Sequence, residues 1–296
     1  MSAIAAAGAS VSEGAANRRS AARGLLLAAP ALLWCVVFFV LPFGTMLVWS
    51  FYTGGGPSEG VASLDNYSRF FTDATFTSAL AYSLEVTLIV TALSVLLAFP
   101  LAWVIATQVR PERQRLWLML AVLPFWTSYV VRSYAWLLVL SPDGVVNRTV
   151  MALGLAVEPL ELAFSRGTTV AGFVHFFVML CTLTIYSSLS RQDPRLLMAA
   201  ADLGASRWQA FTRITLPLAA PGIASGAFLT FVVTIGDFVT PQILGGSNEL
   251  LLPQLILLQI TRRGDIPMAA ALSVLMMLCV TLAYVLLARW LTGAHK

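Results

Sequence analysis

The stretch AAADLGASRWQAFTRITLP (residues 199–217) sets Arg, Asp, Gln and Ser among apolar residues, in a chain that otherwise reads as lipid-soluble helix. Just upstream, Pro194 suits the first turn of a helix, and RLLMAAADL continues it with strong helix formers. Gly204 then offers the left-handed backbone position that ends a helix at little cost. Ser206, with Gln209 three residues later, predicts a capping box for a second short helix. That helix, RWQAFTRI, sets Trp208, Phe211 and Thr212 on one face, and Pro217 is expected to stop it. The expectation is two short helices at a sharp angle. On physics alone, such a hairpin equally fits an amphipathic anchor among lipid headgroups.

The surroundings are more apolar than any soluble domain. The 296 residues are 58% hydrophobic and only 11% charged, with a mean hydropathy of +0.83. Soluble domains carry about 25% charged residues. A helix crossing a bilayer needs roughly 20 mainly apolar residues, and six windows qualify: Leu25–Ser50, Ala79–Thr107, Leu116–Leu140, Thr168–Leu189, Leu218–Ile243 and Pro267–Leu291. The fold class is therefore all-α, a polytopic membrane protein of six spans over residues 25–291, with the hairpin at 194–217 between the fourth and fifth. The run LLLPQLILLQI (250–260) is too short to cross and contains Pro253, so it reads as an interfacial or re-entrant piece.

Residues 1–24 read as a disordered tail and 292–296 as a short exposed end. The basic ANRRSAARG precedes an apolar run longer than a signal-peptide core, with no small-residue cleavage site, so the first span is expected to stay attached. Arg18, Arg19, Arg23, Arg110, Arg113, Arg115, Arg191, Arg195, Arg207 and Arg213 fall on one side, which the positive-inside rule makes cytoplasmic together with both termini. The formal charge of +4 follows from these arginines and suits an anionic lipid leaflet. Nucleic acid is not an expected partner, because no basic, aromatic-studded soluble segment exists. Cys35, Cys181 and Cys279 all lie within apolar spans, and neither His175 nor His295 stands at metal-ligand spacing from them. Neither a metal nor another cofactor is expected.

The hairpin closely resembles the cytoplasmic signature of permease subunits of binding-protein-dependent ABC importers. That signature is E-A-A-x-x-x-G, then nine residues, then I-x-L-P. Ala199, Ala200, Gly204, Ile214, Leu216 and Pro217 match in register, while Met198 stands at the Glu position and Asp202 is the nearest acid able to replace it. The resemblance implies a coupling helix, with Ser206, Arg207 and Trp208 on the arm that meets a cytoplasmic ABC ATPase dimer. It also implies a second, homologous permease subunit and a substrate-binding protein outside the membrane. The chain itself contains no G-x-x-x-x-G-K-[ST] motif, so it is expected not to be an enzyme, and ATP hydrolysis falls to a separate subunit.

Ionisable residues at membrane depth mark functional positions. Arg132 lies in LPFWTSYVVRSYAW (123–136), Asp237 in TIGDFVTPQILGG (234–246) and Glu85 in YSLEVTL (82–88). Trp126, Tyr129, Tyr134 and Trp136 surround Arg132, and Phe238 adjoins Asp237. Aromatic faces beside a carboxylate suit an organic cation, and Pro124, Gly236 and Pro241 are expected to break the helices there. A structural ion pair between Arg132 and Asp237 is the competing reading. Arg132 sits awkwardly beside a cationic ligand: either an acid such as Glu85 neutralises it, or the ligand is not purely cationic. LPFW and GDFVTP also resemble segments of spermidine/putrescine-type permeases, which implies a polyamine substrate and a heterodimeric permease. Opine, iron or phosphonate permeases belong to the same group. A proton-coupled secondary transporter is the alternative of another class, yet only Asp237 suits a proton relay and the hairpin signature would go unexplained.

Overall fold

A computed structural model describes residues 27–246 and 250–293. The tail at 1–24 lies outside the described residues, as do residues 294–296. Among the described residues, five helices are long and apolar enough to cross a membrane: α1 (Leu27–Trp49), α3 (Ala74–Thr107), α7 (Arg166–Leu189), α9 (Arg207–Gly236) and α12, whose spanning part is Ile266–Arg289. The apolar window 116–140 forms a bent helix pair, either a sixth, broken crossing or a re-entrant loop. There α4 (Pro111–Val122) runs into the 3-10 turn Leu123–Trp126, the backbone extends at Thr127, and α5 (Tyr129–Leu140) restarts. The arms Pro111–Trp126 and Tyr129–Ala152 lie at 87° to each other. Pro124 lacks the amide hydrogen an α-turn needs, which accounts for the break within the apolar window 116–140.

Shorter elements fill the ends. The strands β1 (Tyr52–Thr53) and β2 (Val61–Ala62) make a small hairpin, followed by α2 (Asp65–Thr72). Buried Asn66 ties them, its amide donating to the carbonyls of Ser50 and Tyr52. The connection between α5 and α7 carries α6 (Val145–Ala152), and α8 (Pro194–Asp202) precedes α9. After α9, the chain breaks at Asp237 and restarts as α10 (Val239–Leu244), so the apolar window 218–243 is not one helix. The run at 250–260 folds as α11 (Leu252–Leu258). Leu252 and Leu255 are buried in a cluster with Phe76, Met268 and Leu272, and the Leu252 amide donates to Ser83 Oγ at 2.7 Å. This packs α11 against α2 and the first turns of α3 and α12.

Pro217 does not stop the hairpin's second arm. Residues Phe211–Thr215 form a π-turn in which the Leu216 amide bonds to the Phe211 carbonyl, and the helix continues through Pro217 to Gly236. Widening the turn by one residue accommodates the ring and the missing donor of Pro217. The arm is therefore one rigid body with the span.

The centre of the bundle is α3, α7 and α9. Their contact relies on small residues: Ala98, Ala102, Cys181 and Ala219 are fully buried together. At Gly222 and Gly226 the α9 backbone comes so close to α7 that a Cβ would lie 2.5 Å from Ser188 Oγ and 2.5 Å from Thr184 Oγ1, respectively. Without a hydrophobic drive inside lipid, such close approach is what holds helices together. By contrast α1, which touches α12, buries none of its apolar window in this chain.

Candidate functional site

Two features stand out, one at the hairpin and one where the helices break. At the hairpin, the Asp193 side chain accepts from the Arg195 amide and so caps α8. Gly204 ends it with φ +78°, and the Ala205 amide returns to the Ala200 carbonyl at 2.9 Å. Ser206 Oγ accepts from the Gln209 amide while Gln209 Oε1 accepts from the Ser206 amide, which completes the capping box. Trp208 stacks on Phe211 at 5.6 Å, and Phe211 meets Phe99 and Trp103 of α3 edge-on. Phe211 thus roots the arm in the bundle while Trp208 stays 70% exposed. Met198, Ala199, Asp202, Arg207, Leu216 and Pro217 are exposed, Ile214 is half-buried and Ala200 is buried. Met198 and Asp202 lie one turn apart on α8, so a carboxylate is available a single turn from the Met198 thioether.

At the breaks, Tyr129 begins α5 and Asp237 precedes α10. The Tyr129 hydroxyl donates to Asp237 Oδ2 and shares a second short hydrogen bond with Thr240 Oγ1. Asp237 also accepts from the amides of Val239 (2.8 Å) and Thr240 (3.3 Å), so it caps α10 and ties it to α5 at once. Arg132, one turn into α5, is only 8% exposed. Its Nη2 donates to the Thr127 carbonyl at 2.9 Å, and its Cζ lies 4.9 Å from the ring centre of Phe176. Nε and Nη1 have no hydrogen-bond partner. Phe176 is also stacked on Phe125 (5.0 Å) and edge-on to Tyr129 (5.2 Å).

The structure therefore joins Tyr129, Arg132 and Asp237 around a ring that the sequence reading missed. Phe176 sits in the run HFF within an apolar span, and nothing local sets it apart. Trp136 is drawn in too, its Nε1 donating to His175 Nδ1 at 3.0 Å. Trp126, at 87% exposed, with Tyr134 and Phe238, faces out of this chain. Glu85 does not neutralise Arg132: its carboxylate lies 2.6 Å from Arg166 Nη2 instead. The Arg132–Asp237 ion pair of the competing reading is likewise not among the salt bridges of the described residues, because the Asp237 oxygens are already taken by Tyr129 and the α10 amides.

The family described as binding-protein-dependent transport system inner membrane component matches residues 25–294. The chain belongs to that family. This inner-membrane component is 35% identical over 260 residues to the spermidine/putrescine transport system permease protein PotB of Salmonella typhimurium (strain SL1344), across 87% of this chain and 89% of that protein. It is 32% identical over 166 residues to the permease protein PotC of Haemophilus influenzae, across 56% of this chain and 63% of that one. Among solved structures, a bacterial ABC transporter that imports the acidic polysaccharide alginate superposes with a TM-score of 0.70 at 22% identity, over 92% of this chain and 98% of that one. That likeness speaks to the fold. As a member of this family the chain is a multi-pass transport component, not an enzyme.

Proposed function

We propose that this component forms half of the translocation pathway of an ATP-driven importer of polyamines of the spermidine and putrescine class. The observation that carries this is the 35% identity to PotB over nearly the whole chain. The second half of the pathway would come from a homologous permease chain, a pairing supported by the similarity to PotC as well as to PotB. In this reading the hairpin seats in a cytoplasmic ABC ATPase dimer, and both termini share that side. A substrate-binding protein delivers the ligand at the opposite face. The continuous helix from Arg207 to Gly236 supports mechanical coupling, since displacement of the hairpin moves the span as a lever towards Asp237.

The test is to purify the tagged chain from its native membrane and assay ATP-dependent uptake of labelled putrescine and spermidine. Co-purification of an ATPase and a second permease, with saturable polyamine uptake, is the expected result. Recovery of the chain alone, or of a complex inert towards polyamines, would refute it.

One observation favours a second reading of the substrate. Neither Glu85 nor Asp237 pairs with Arg132, which keeps two unfilled donors. A ligand with a carboxylate beside its amine, of the opine type, would use both charges. Competition by such a compound against spermidine uptake discriminates the two.

A further inference from the structure

We propose that Tyr82 and Glu85 form a subsite for an alkylammonium group at the mouth of the pathway, filled in this structure by the protein's own Arg166. The inference rests on the polyamine reading above and adds to it a residue-level docking point. Tyr82 and Glu85 stand three residues apart on α3 and therefore share a face. Glu85 Oε2 lies 2.6 Å from Arg166 Nη2, and Arg166 Cζ lies 5.7 Å from the centre of the Tyr82 ring. A carboxylate and an aromatic face thus converge on one cation, which is the chemistry that recognises an organic ammonium.

Arg166 is the first residue of α7, where the backbone dipole disfavours a cation. The pair borders water, with side chains 30% exposed at Arg166 and 53% at Glu85, although Arg166 Nη2 itself is buried. An arriving ammonium would therefore reach Glu85 from its exposed side and displace the guanidinium from there.

Arg166 also lines a cavity of about 210 Å³, together with Val86, Phe164, Thr169, Pro241 and Leu251 among others. Val86 follows Glu85 directly, and the Val86, Phe164, Pro241 and Leu251 side chains offer apolar contact to a methylene chain. Pro241 belongs to α10, the helix capped by Asp237. A diamine held at Glu85 would therefore lay its hydrocarbon towards the segment that Asp237 fastens.

The experiment is spermidine uptake by the complete complex, with its binding protein, over a range of concentrations, with complex yield recorded for every variant. Glu85→Gln is expected to lower uptake at least tenfold. Arg166→Gln removes the competitor and is expected to lower the half-saturating concentration severalfold. Tyr82→Leu is expected to lower uptake more than Tyr82→Phe, because only the latter keeps an aromatic face. The decisive variant is the exchange Glu85→Arg with Arg166→Glu, which restores the ion pair but moves the carboxylate off the Tyr82 face. Uptake that stays impaired in the exchanged protein supports the subsite. Uptake restored by the exchange, or lost equally in Glu85→Gln and Arg166→Gln, shows a purely structural pair and overturns it. A wild-type complex that imports no polyamine defeats the underlying reading instead; wild-type import with an unimpaired Glu85→Gln defeats the subsite alone.

Discussion

Tyr129 and Asp237, 108 residues apart in sequence, are joined by a hydrogen bond from the phenol to the carboxylate. Each stands where a broken helix restarts, so the bond fastens the bend before α5 to the break between α9 and α10. Backbone freed by such breaks is tolerated in a membrane only where protein or a water-filled cavity satisfies it. Asp237 does this for α10 by accepting from two of its first amides.

Removing the phenol oxygen tests that fastening. Tyr129→Phe keeps the ring against Phe176 and deletes a hydrogen bond to a carboxylate, a class of bond that contributes about 1.5–3 kcal/mol. The expected outcome is a lower unfolding midpoint for the detergent-solubilised complex, with reduced uptake. A wild-type midpoint would mean the two breaks are held by other contacts.

Gly204 isolates the role of hairpin geometry. A Cβ there meets no atom within 4 Å, so substitution acts through the backbone at φ +78° and not through a clash. Gly204→Val should strain the turn by roughly 1–2 kcal/mol, whereas Asn adopts the left-handed region more readily. Gly204→Val is expected to insert normally yet lose uptake and substrate-stimulated ATP hydrolysis, with Gly204→Asn partly rescued. Equal transport by all three proteins would remove the hairpin from the coupling path.

Close packing of α7 on α9 makes a separate prediction. At Gly222 a Cβ would lie 2.6 Å from the Thr184 carbonyl, an atom that cannot rotate away. Gly222→Ala should destabilise the complex by about 1–3 kcal/mol through overpacking. Gly44→Ala, in a helix and with nothing within 4 Å of the added Cβ, is its control and should not lower the midpoint. Thermal unfolding in detergent distinguishes them, and equal midpoints would show that the two helices separate freely.

The hairpin was legible because its signals are local. Gly204, the Ser206–Gln209 box and the proline at the start of α8 each act within a few residues, and the structure contains all three features. What the pattern misjudged was Pro217: a proline predicts a stop, but a π-turn five residues long absorbed it. The 250–260 run looked ambiguous because its length and Pro253 do not reveal what packs around it. Tertiary contacts with Phe76 and Met268 decide its burial. Phe176 and the partner of Glu85 were illegible for the same reason, since each contact comes from a different helix and leaves no periodic trace.

Orientation is tested by impermeant thiol labelling of intact cells. Cysteines at Ser58 and Val157 are expected to react from outside, both positions being exposed and Val157 98% so. A cysteine at Leu203, 89% exposed at the hairpin tip, should react only after the membrane is opened. Labelling of Leu203→Cys in sealed cells would invert the topology and remove the ATPase contact.

Whether the cation carried by the proposed importer is met by the Asp237 carboxylate is tested most directly by Asp237→Asn. The substitution keeps the side chain's shape and one accepting oxygen while it removes the charge, leaving buried Arg132 as the dominant local field. ATP-driven uptake of labelled spermidine is measured in proteoliposomes containing the complete complex, alongside complex yield. The expected result is a fall of at least tenfold in uptake per recovered complex, equivalent to about 1.4 kcal/mol of lost transition-state stabilisation. Normal uptake per recovered complex would contradict it.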